Sequence, residues 1–134
     1  MRKKKPAYPE GFAVKRSNTG LGLFAARPFK KGERVAEYIG RALSNAEMHT
    51  SRSKYLFEIN SRKMVDGAVR ENIARYINHS CRPNCEAEVR RGRIYISAIR
   101  NIKIGEEFSY DYGEEYVDEH IKPRGCRCRQ CLKK

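Results

Sequence analysis

Short runs of β-forming residues recur along the whole chain and constrain it to a mainly β fold. Gly, Asn and Ser separate the runs, and apolar and polar residues alternate within them, as is typical of half-buried strands. The predicted strands are residues 12–16, 21–25, 34–41, 55–60, 64–66, 86–97 and 108–112. The longest run is interrupted at Gly92, which predicts a hairpin with one packed face and one solvated face.

Two short helical segments are expected between these strands. Ser44 and Glu47 have the spacing of a capping box, in which each residue bonds the backbone of the other at the start of a helix. A second helical turn is predicted over residues 73–77, where Ile73 shares one face with the residues three and four positions further on. Both segments are too short to change the fold class.

An internal repeat links two distant parts of the sequence. Residues 27–35 and 100–108 share one order of Arg, apolar, Lys, Gly, Glu and apolar residues. A solenoid needs at least three stacked units. The repeat therefore predicts only two turn-and-strand units of similar geometry.

The amount of apolar residue limits how large a core this chain can build. Its 134 residues suit one compact domain. Leu, Ile, Val and Phe make up about a fifth of them, and the formal net charge is +13, which places the composition near the disordered range. We therefore expect the domain to need a bound ion or ligand as reinforcement.

The sequence holds no segment that would direct or anchor the protein in a membrane. No apolar run approaches the roughly 18 residues of a membrane span. The basic residues that open the chain are not followed by the apolar stretch of a secretory signal. We expect an intracellular, unprocessed protein in a reducing compartment.

Three of the five cysteines, Cys126, Cys128 and Cys131, lie within one short segment. In a reducing compartment such crowding favours metal ligation over disulfides, and zinc is the usual metal for clustered thiolates. A closed tetrahedral site would need a fourth ligand from elsewhere in the chain. The candidates are Cys81, Cys85, His79 and His120. The alternative is a group of oxidation-prone thiols on a frayed tail.

Charge is unevenly distributed along the chain. Residues 106–119 contain seven carboxylates and no Lys or Arg: Glu106, Glu107, Asp111, Glu114, Glu115, Asp118 and Glu119. This acidic segment is either a docking surface for a cationic peptide or a solvated loop. The basic remainder is either a solvated surface or a surface for non-specific contact with nucleic acid.

Three other segments have compositions that suit a binding site. The glycines of Gly20-Leu21-Gly22 would let a ligand approach the backbone, although such a pair by itself more often marks a tight turn. Residues 75–85 crowd Asn, His, Cys and Pro into one loop, whose side chains could instead simply bond nearby backbone. Tyr110 and Tyr112 would share one face of an extended segment, as the wall of a slot or as half-packed strand residues.

These segments follow one another in a recognisable order. The order is Gly20-Leu21-Gly22, Tyr38-Ile39-Gly40, Tyr55-Leu56-Phe57, residues 72–85 with their Asn-His-Ser-Cys-x-Pro-Asn-Cys sequence, Gly105-Glu106-Glu107, Tyr110-Asp111-Tyr112 and the terminal cysteines. The chain resembles a SET-domain protein lysine methyltransferase with a post-SET zinc motif. The resemblance runs from about Phe12 to Cys131.

The resemblance implies a SET-domain fold of small curved sheets, in which the Asn-His and Tyr-Asp-Tyr segments form a pseudoknot. It implies a basic tail over residues 1–11, the SET domain over 12–113, and an acidic segment with the post-SET zinc motif over 114–134. It also implies S-adenosylmethionine as cofactor, with Asn78 and His79 holding its two ends. The implied cofactor-binding residues are Gly20, Leu21, Gly22, Tyr38, Arg75, Tyr76, Asn78, His79 and Tyr112.

The same resemblance assigns the catalytic and metal-binding residues. Tyr112 matches the catalytic tyrosine, Tyr55 an aromatic that lines the lysine channel, and Tyr110 the position that tunes how many methyl groups are added. Zinc would be bound by Cys81, Cys126, Cys128 and Cys131. The implied reaction is mono- or dimethylation of lysine in a basic protein tail, from a histone or another nucleic-acid-associated protein.

Two features depart from the family pattern. The terminal spacing Cys-x-Cys-x-x-Cys is shorter than usual in post-SET segments, and Arg41 stands where many members have Glu. No cysteine-rich segment precedes the domain, so this unit is expected to read its substrate alone or with a partner. The alternatives are a zinc-stapled basic module that binds nucleic acid or chromatin, and a catalytically silent SET scaffold.

Overall fold

Four small β-sheets account for most of the regular secondary structure in the computed structural model, which describes residues 10–18, 20–53 and 55–113. In chain order the strands are β1 (Phe12–Ser17), β2 (Gly20–Ala25), β3 (Arg34–Tyr38), β4 (Arg41–Ala42), β5 (Leu56–Asn60), β6 (Lys63–Asp66), β7 (Asn78–His79), β8 (Cys85–Arg90), β9 (Arg93–Ala98) and β10 (Ser109–Tyr110). The mainly β fold class predicted from the sequence is confirmed. Most of the predicted tail, the acidic residues after 113 and the terminal cysteines lie outside the described residues.

The sheets differ in how their strands pair. Strands β1 and β2 form an antiparallel hairpin, and the two three-stranded sheets have the orders β3-β9-β8 and β4-β6-β5. Strands β7 and β10 pair in parallel, with Ser109 opposite Asn78 and Tyr110 opposite His79. A parallel pair needs a long crossover connection. The fold thereby places the Asn-His segment beside the Tyr-Asp-Tyr segment.

Two of the predicted strands are divided or shortened in the structure. The predicted strand 34–41 is wrong as one element, because the chain leaves β9 after Tyr38 and pairs with β6 from Arg41. Gly40 lies at this crossing, where a Cβ atom would come within 2.7 Å of the Asp66 carbonyl carbon. The predicted strand 108–112 is reduced to Ser109–Tyr110, since the backbone N–H of Tyr112 bonds a side chain instead.

Helix α1 (Asn45–Thr50) starts with the predicted capping box. The Glu47 N–H donates to Ser44 Oγ at 3.2 Å, and the Ser44 N–H donates to Glu47 Oε1 at 3.1 Å. Arg41 pairs with Glu47 at 2.8 Å, and its hydrogen bond is the main reason that the pKa of Glu47 falls to about 2. Helix α1 contains no buried residue, so its capping bonds rather than core packing define where it begins.

The second predicted helical segment is a 3₁₀ turn (Ile73–Tyr76). Ala74 in the turn and Ile77 directly after it are fully buried, with exposures of 0% and 1%, while Ile73 and Tyr76 are partly buried and pack against the core. The position of the turn is confirmed, but the predicted face omitted Ala74. A 3₁₀ turn has three residues per turn, which puts Ala74 directly below Ile77.

The core is small and contains three tightly packed phenylalanines. The ring centroids of Phe12, Phe29 and Phe108 lie 5.1 to 5.7 Å apart. Strand β9 contributes Ile94 and Ile96 on its buried face, which confirms the predicted hairpin with one packed face. The other fully buried apolar side chains include Leu23, Ile77, Cys85 and Ile102.

The internal repeat is a structural repeat with approximate two-fold symmetry. Phe29 and Ile102 occupy equivalent positions and exchange two backbone hydrogen bonds of 2.9 and 2.8 Å. Each turn then bonds the strand that precedes the other turn. The matching pairs are Gly32 N to Ala98 O with Gly105 N to Ala25 O, and Arg27–Glu33 with Arg100–Glu106. The two turn-and-strand units predicted from the sequence are therefore confirmed.

Candidate cofactor and substrate site

Asn78 connects two segments that the sequence analysis assigned to cofactor binding. Its side-chain amide donates to the carbonyl of Leu21 at 3.0 Å and to Glu107 Oε2 at 2.9 Å. These bonds hold β7 against the Gly20-Leu21-Gly22 part of β2. Gly20 has φ +116°, and a Cβ atom there would meet nothing within 4 Å. The backbone at Gly20 consequently faces open space beside Asn78.

Glu107 organises this junction, a role that was not predicted from the sequence. Besides the amide of Asn78, its carboxylate accepts the Ser17 hydroxyl at 2.7 and 2.8 Å. A Cβ atom at Gly22 would lie 3.0 Å from the Glu107 Cδ, so only glycine leaves room for the carboxylate. One signal was available: the internal repeat has Arg34 at the position equivalent to Glu107, so the charge reverses there.

The acidic segment predicted as a docking surface is therefore partly used inside the domain. Glu106 pairs with Arg100 at 3.2 Å and accepts the Lys103 N–H at 2.9 Å. Glu107 is engaged at the Asn78 junction. Both carboxylates have partners in their own chain, and the docking role of the acidic segment stays a prediction. Asp111 is exposed, and the remaining four lie outside the described residues.

His79 is held between Tyr112 and Cys81. The backbone N–H of Tyr112 donates to His79 Nδ1 at 3.1 Å, and His79 Nε2 lies 3.5 Å from Cys81 Sγ. Burial lowers the pKa of His79, while Asp111, 3.7 Å from Nδ1, acts in the opposite direction. Because Nδ1 accepts a hydrogen bond, the neutral ring carries its proton on Nε2 and directs it toward the Cys81 sulfur.

Tyr110 and Tyr112 lie together, next to the Asn-His segment. Their ring centroids are 4.9 Å apart, and the Tyr112 ring is 5.4 Å from the His79 ring. The Tyr112 hydroxyl donates a short hydrogen bond to the carbonyl of Ile77, the residue before Asn78. Tyr110 is 6% exposed. Both predicted catalytic phenols thus belong to the cluster that contains Asn78 and His79.

Tyr38 and Tyr55 lie in a neighbouring part of the structure. The Tyr38 hydroxyl donates to the backbone carbonyl of Tyr55 at 2.8 Å, and its ring packs 5.3 Å from Phe57. Tyr38 is 6% exposed. Within the described residues, the ring contacts of Tyr110 and Tyr112 do not include Tyr55. The structure joins two of the three predicted channel phenols, and the roles of Tyr55 and Tyr38 stay predictions.

Arg75 has a buried hydrogen-bond donor with no partner among the described residues. Its Nη2 donates to the Tyr76 hydroxyl at 2.7 Å, and its guanidinium carbon lies 4.7 Å from the centroid of that ring. The Nε atom is buried and bonds nothing in the part of the chain that the structure describes. Buried donors are rarely left unsatisfied, so this atom is a candidate for contact with a ligand.

Cys81 and Cys85 occupy opposite environments. Cys85 is 1% exposed at the start of β8, and burial raises the pKa of its thiol to about 12. Cys81 is exposed. Among residues 10–18, 20–53 and 55–113, no three His, Cys, Asp or Glu side chains come together as a metal site would require.

Asn84, between these two cysteines, is a second residue whose role the sequence did not reveal. It is 2% exposed, and its amide donates to the Glu107 carbonyl at 2.8 Å while its oxygen accepts the Ser109 N–H at 2.9 Å. The side chain thus pairs with the backbone like a strand neighbour. It fixes the chain that carries Glu107 and Tyr110 against the Asn-His loop.

No described helix has the length and apolar character that a membrane span requires.

Comparison with known proteins gives a family for this arrangement. The family model described as the SET domain matches residues 20–113. Histone-lysine N-methyltransferase trr of Drosophila melanogaster is 41% identical over 128 residues, covering 85% of this chain and 5% of that protein. Histone-lysine N-methyltransferase 2D of Homo sapiens is 40% identical, covering 85% and 2%.

Two further proteins extend the comparison. The H3 lysine-4 specific histone-lysine N-methyltransferase of Kluyveromyces lactis is 37% identical over 80% of this chain and 12% of its own length. A solved structure described as ctPRC2 in an autoinhibited conformation bound to S-adenosylmethionine has a TM-score of 0.70 and 32% identity, covering 77% of this chain and 15% of that one. The chain spans only a small part of each relative's length. The family match and these relatives together show that the chain belongs to the SET-domain family.

Proposed function

We propose that this chain is an S-adenosylmethionine-dependent protein-lysine N-methyltransferase that acts on basic protein tails such as those of histones. The observation that carries the proposal is the junction at Asn78. The Asn78 side chain bonds the Gly20-Leu21-Gly22 strand, and the Tyr112 hydroxyl donates to the carbonyl of Ile77, the residue before Asn78. The names of the relatives, which are histone-lysine N-methyltransferases, support the same reaction.

The described residues fit the proposed cofactor. The backbone at Gly20 borders open space, and Asn78 bonds the neighbouring Leu21 carbonyl. Arg75 Nε is a buried donor that has no partner among the described residues. Arg75, Tyr76, Asn78, His79 and the Gly20-Leu21-Gly22 backbone would hold the cofactor. When bound, S-adenosylmethionine supplies a methyl group attached to a positively charged sulfur. The relative solved as ctPRC2 is described with this molecule bound.

Tyr112 and Tyr110 would prepare the target lysine. A lysine amine has an ordinary pKa near 10.4, and transfer from water into an aromatic channel favours its neutral form. The Tyr112 hydroxyl donates its hydrogen bond to the Ile77 carbonyl, so it would meet the amine as a hydrogen-bond acceptor and orient the nitrogen lone pair. Alignment of this kind is the main contribution an enzyme makes to an in-line displacement.

The basic test of the function is methyl transfer to a known class of substrate. Purified protein would be incubated with methyl-labelled S-adenosylmethionine and core histones, and the products would be separated and counted. We expect label on one or more histones and none on a neutral carrier protein. Cofactor binding by calorimetry without labelling of histones or other basic proteins would contradict the proposal and favour the silent scaffold.

The number of methyl groups added is predicted to depend on Tyr110. Its ring lies 4.9 Å from Tyr112, where its hydroxyl can hold the amine or a water in the space that a further methyl group would need. The wild-type protein should therefore yield mono- and dimethyllysine, and Tyr110→Phe should shift the products toward trimethyllysine. Mass spectrometry of the modified peptide measures this, and an unchanged product distribution would remove Tyr110 from this role.

We assign the proposed zinc site to Cys81 together with Cys126, Cys128 and Cys131. The exposed thiol of Cys81 can be reached by ligands from another segment, whereas the Cys85 thiol is enclosed in the core. His79 Nε2 lies 3.5 Å from Cys81 Sγ, and such outer contacts orient and stabilise metal-bound thiolates. The described residues thus support Cys81 as one of the four ligands. The other three lie outside the described residues.

The zinc assignment predicts different zinc contents for variants of two neighbouring cysteines. Cys81→Ala should reduce zinc from about one equivalent per chain to a small fraction, because a structural site requires four protein ligands. Cys85→Ala should keep its zinc and lose only packing in the core. Elemental analysis of both purified variants, with circular dichroism to verify folding, measures this. Full zinc in folded Cys81→Ala would refute the assignment.

A histone substrate also bears on where the protein acts. The sequence predicts an intracellular protein, and a substrate of this class would place it at chromatin, in the nucleus or a host nucleus. Lysine-rich tails would be drawn to the exposed carboxylate of Asp111 and to the negative charges of Glu114, Glu115, Asp118 and Glu119, and added salt should weaken the encounter. Non-specific contact with nucleic acid stays a secondary prediction from the net charge of +13.

A further inference from the structure

The two-fold related turns enclose a surface groove away from the Asn78 junction. It has a volume of about 620 Å³ and is lined by Pro28, Phe29, Lys30, Lys31, Asn101, Ile102, Lys103 and Ile104. Phe29 and Ile102 close its base, since each is only 1% exposed. Both walls consist of exposed residues from the two repeats. The groove is thus a product of the repeat and is open to solvent.

The charge of the groove is positive. Lys30, Lys31 and Lys103 line it, and no ion pair involves them in the described part of the chain. The two neighbouring carboxylates are already committed, Glu33 to Arg27 and Glu106 to Arg100. An occupant of the groove would therefore gain from carrying negative charge.

One apolar side chain in the groove is not explained by the fold. Ile104 is 65% exposed, the highest value among the exposed large apolar residues. Its equivalent in the first repeat is Lys31, so a turn of this shape does not require an apolar residue at this position. Pro28 supplies a second exposed apolar surface in the groove. Exposed apolar side chains inside a charged rim are typical of protein-binding sites.

We propose that this groove binds an acidic peptide segment of a partner protein, with an apolar side chain of that segment against Ile104 and Pro28 and its carboxylates against the three lysines. Apolar walls distinguish this occupant from a nucleic-acid backbone, which offers phosphates but no apolar side chain to cover Ile104. The proposal does not depend on methyl transfer. Binding can be measured without cofactor or substrate.

The probe is a fluorescein-labelled peptide of about ten residues with a central Leu-Phe pair and Asp or Glu elsewhere. Fluorescence anisotropy measures its affinity for the full chain, and amide shifts in NMR spectra locate its site. We expect shifts at residues 29–31 and 101–104, and weaker binding as salt is raised. A peptide with Asn and Gln in place of Asp and Glu should bind at least tenfold more weakly, as should one with Ser at the centre.

Variants of exposed residues test the two halves of the proposal. Lys30→Glu combined with Lys103→Glu should weaken binding by about tenfold or more, and Ile104→Gln by about threefold or more. Arg62→Glu with Lys63→Glu, an equal change of charge at the end of the β5–β6 turn and the start of β6, should leave the affinity within about twofold. All of these positions are exposed, so the variants should fold like the wild type.

Five results would overturn the proposal. The first three are amide shifts confined to other surfaces, equal affinity for the neutral peptide, and unchanged binding by the Lys30 and Lys103 double variant. The fourth is displacement of the peptide from the same amides by duplex DNA at equal or lower concentration, which would make the groove a nucleic-acid interface. Concentration-dependent dimerisation abolished by Ile104→Gln would likewise replace the peptide by a second copy of the chain.

Discussion

Replacing Tyr112 by Phe is expected to abolish most methyl transfer while the cofactor still binds. The substitution removes only the hydroxyl that donates a hydrogen bond to the Ile77 carbonyl. The ring contacts with Tyr110 and His79 and the backbone bond to His79 Nδ1 remain possible. Without the hydroxyl the amine loses its orienting group, so we expect kcat to fall about a hundredfold or more. Single-turnover assays and cofactor calorimetry measure the two effects separately.

A matched control makes the Tyr112 result specific. Tyr95 lies on β9, where Arg34 stacks on its ring at 3.8 Å, and Tyr95→Phe removes a phenol hydroxyl from another part of the domain. We expect Tyr95→Phe to keep wild-type turnover. If Tyr112→Phe retained full activity, Tyr112 would have no part in the reaction. If it lost cofactor affinity as well, its role would be in building the site.

Replacing Glu107 by Ala is expected to weaken cofactor binding strongly. The change removes the carboxylate that accepts hydrogen bonds from Ser17 and Asn78. The backbone carbonyl that Asn84 bonds is retained. Hydrogen bonds to a charged group contribute about 1.5–3 kcal/mol, so loss of this junction should raise the cofactor dissociation constant about ten- to a hundredfold. Calorimetry measures the affinity, and thermal unfolding measures the accompanying loss of stability.

Glu106→Ala provides the control for this prediction. Glu106 precedes Glu107 and carries the same charge, but it forms an exposed ion pair with Arg100, which is worth at most about 1 kcal/mol. We expect its cofactor affinity to match the wild type. Glu107→Gln should fall between the two, because the amide keeps one acceptor for Asn78 or Ser17. Wild-type cofactor binding by folded Glu107→Ala would show that the junction does not position the site.

Sequence patterns of a few residues correctly predicted the structural elements whose defining contacts join residues close together in the chain. The capping box of Ser44 and Glu47 fixed the start of α1, because both of its bonds lie within four residues. The hairpin around Gly92 followed from alternation and one glycine. The division of 34–41 between two sheets was missed, because it depends on the approach of Gly40 to the Asp66 backbone, which no local pattern contains.

The site divides in the same way. Its chemistry was available from the sequence, since the Gly-Leu-Gly, Asn-His and Tyr-Asp-Tyr segments supply open backbone, polar groups and phenols. The assembly of these segments could not be predicted from the sequence, because it depends on contacts such as that between Glu107 and Ser17, which lie 90 residues apart. From the sequence, Glu107 was therefore grouped with the other carboxylates of the acidic segment, whereas in the fold its side chain lies against Gly22.

By itself the sequence determined the mainly β class, the helix cap, the paired turns and the family resemblance. Each of these is encoded in neighbouring residues or in the order of short segments. The tertiary structure alone decided that Glu107 and Asn84 act inside the domain, that Cys85 is a core thiol while Cys81 is exposed, and that the paired turns form a basic groove. These properties depend on which side chains meet across large sequence separations, and burial and hydrogen bonding are set only when the chain has folded.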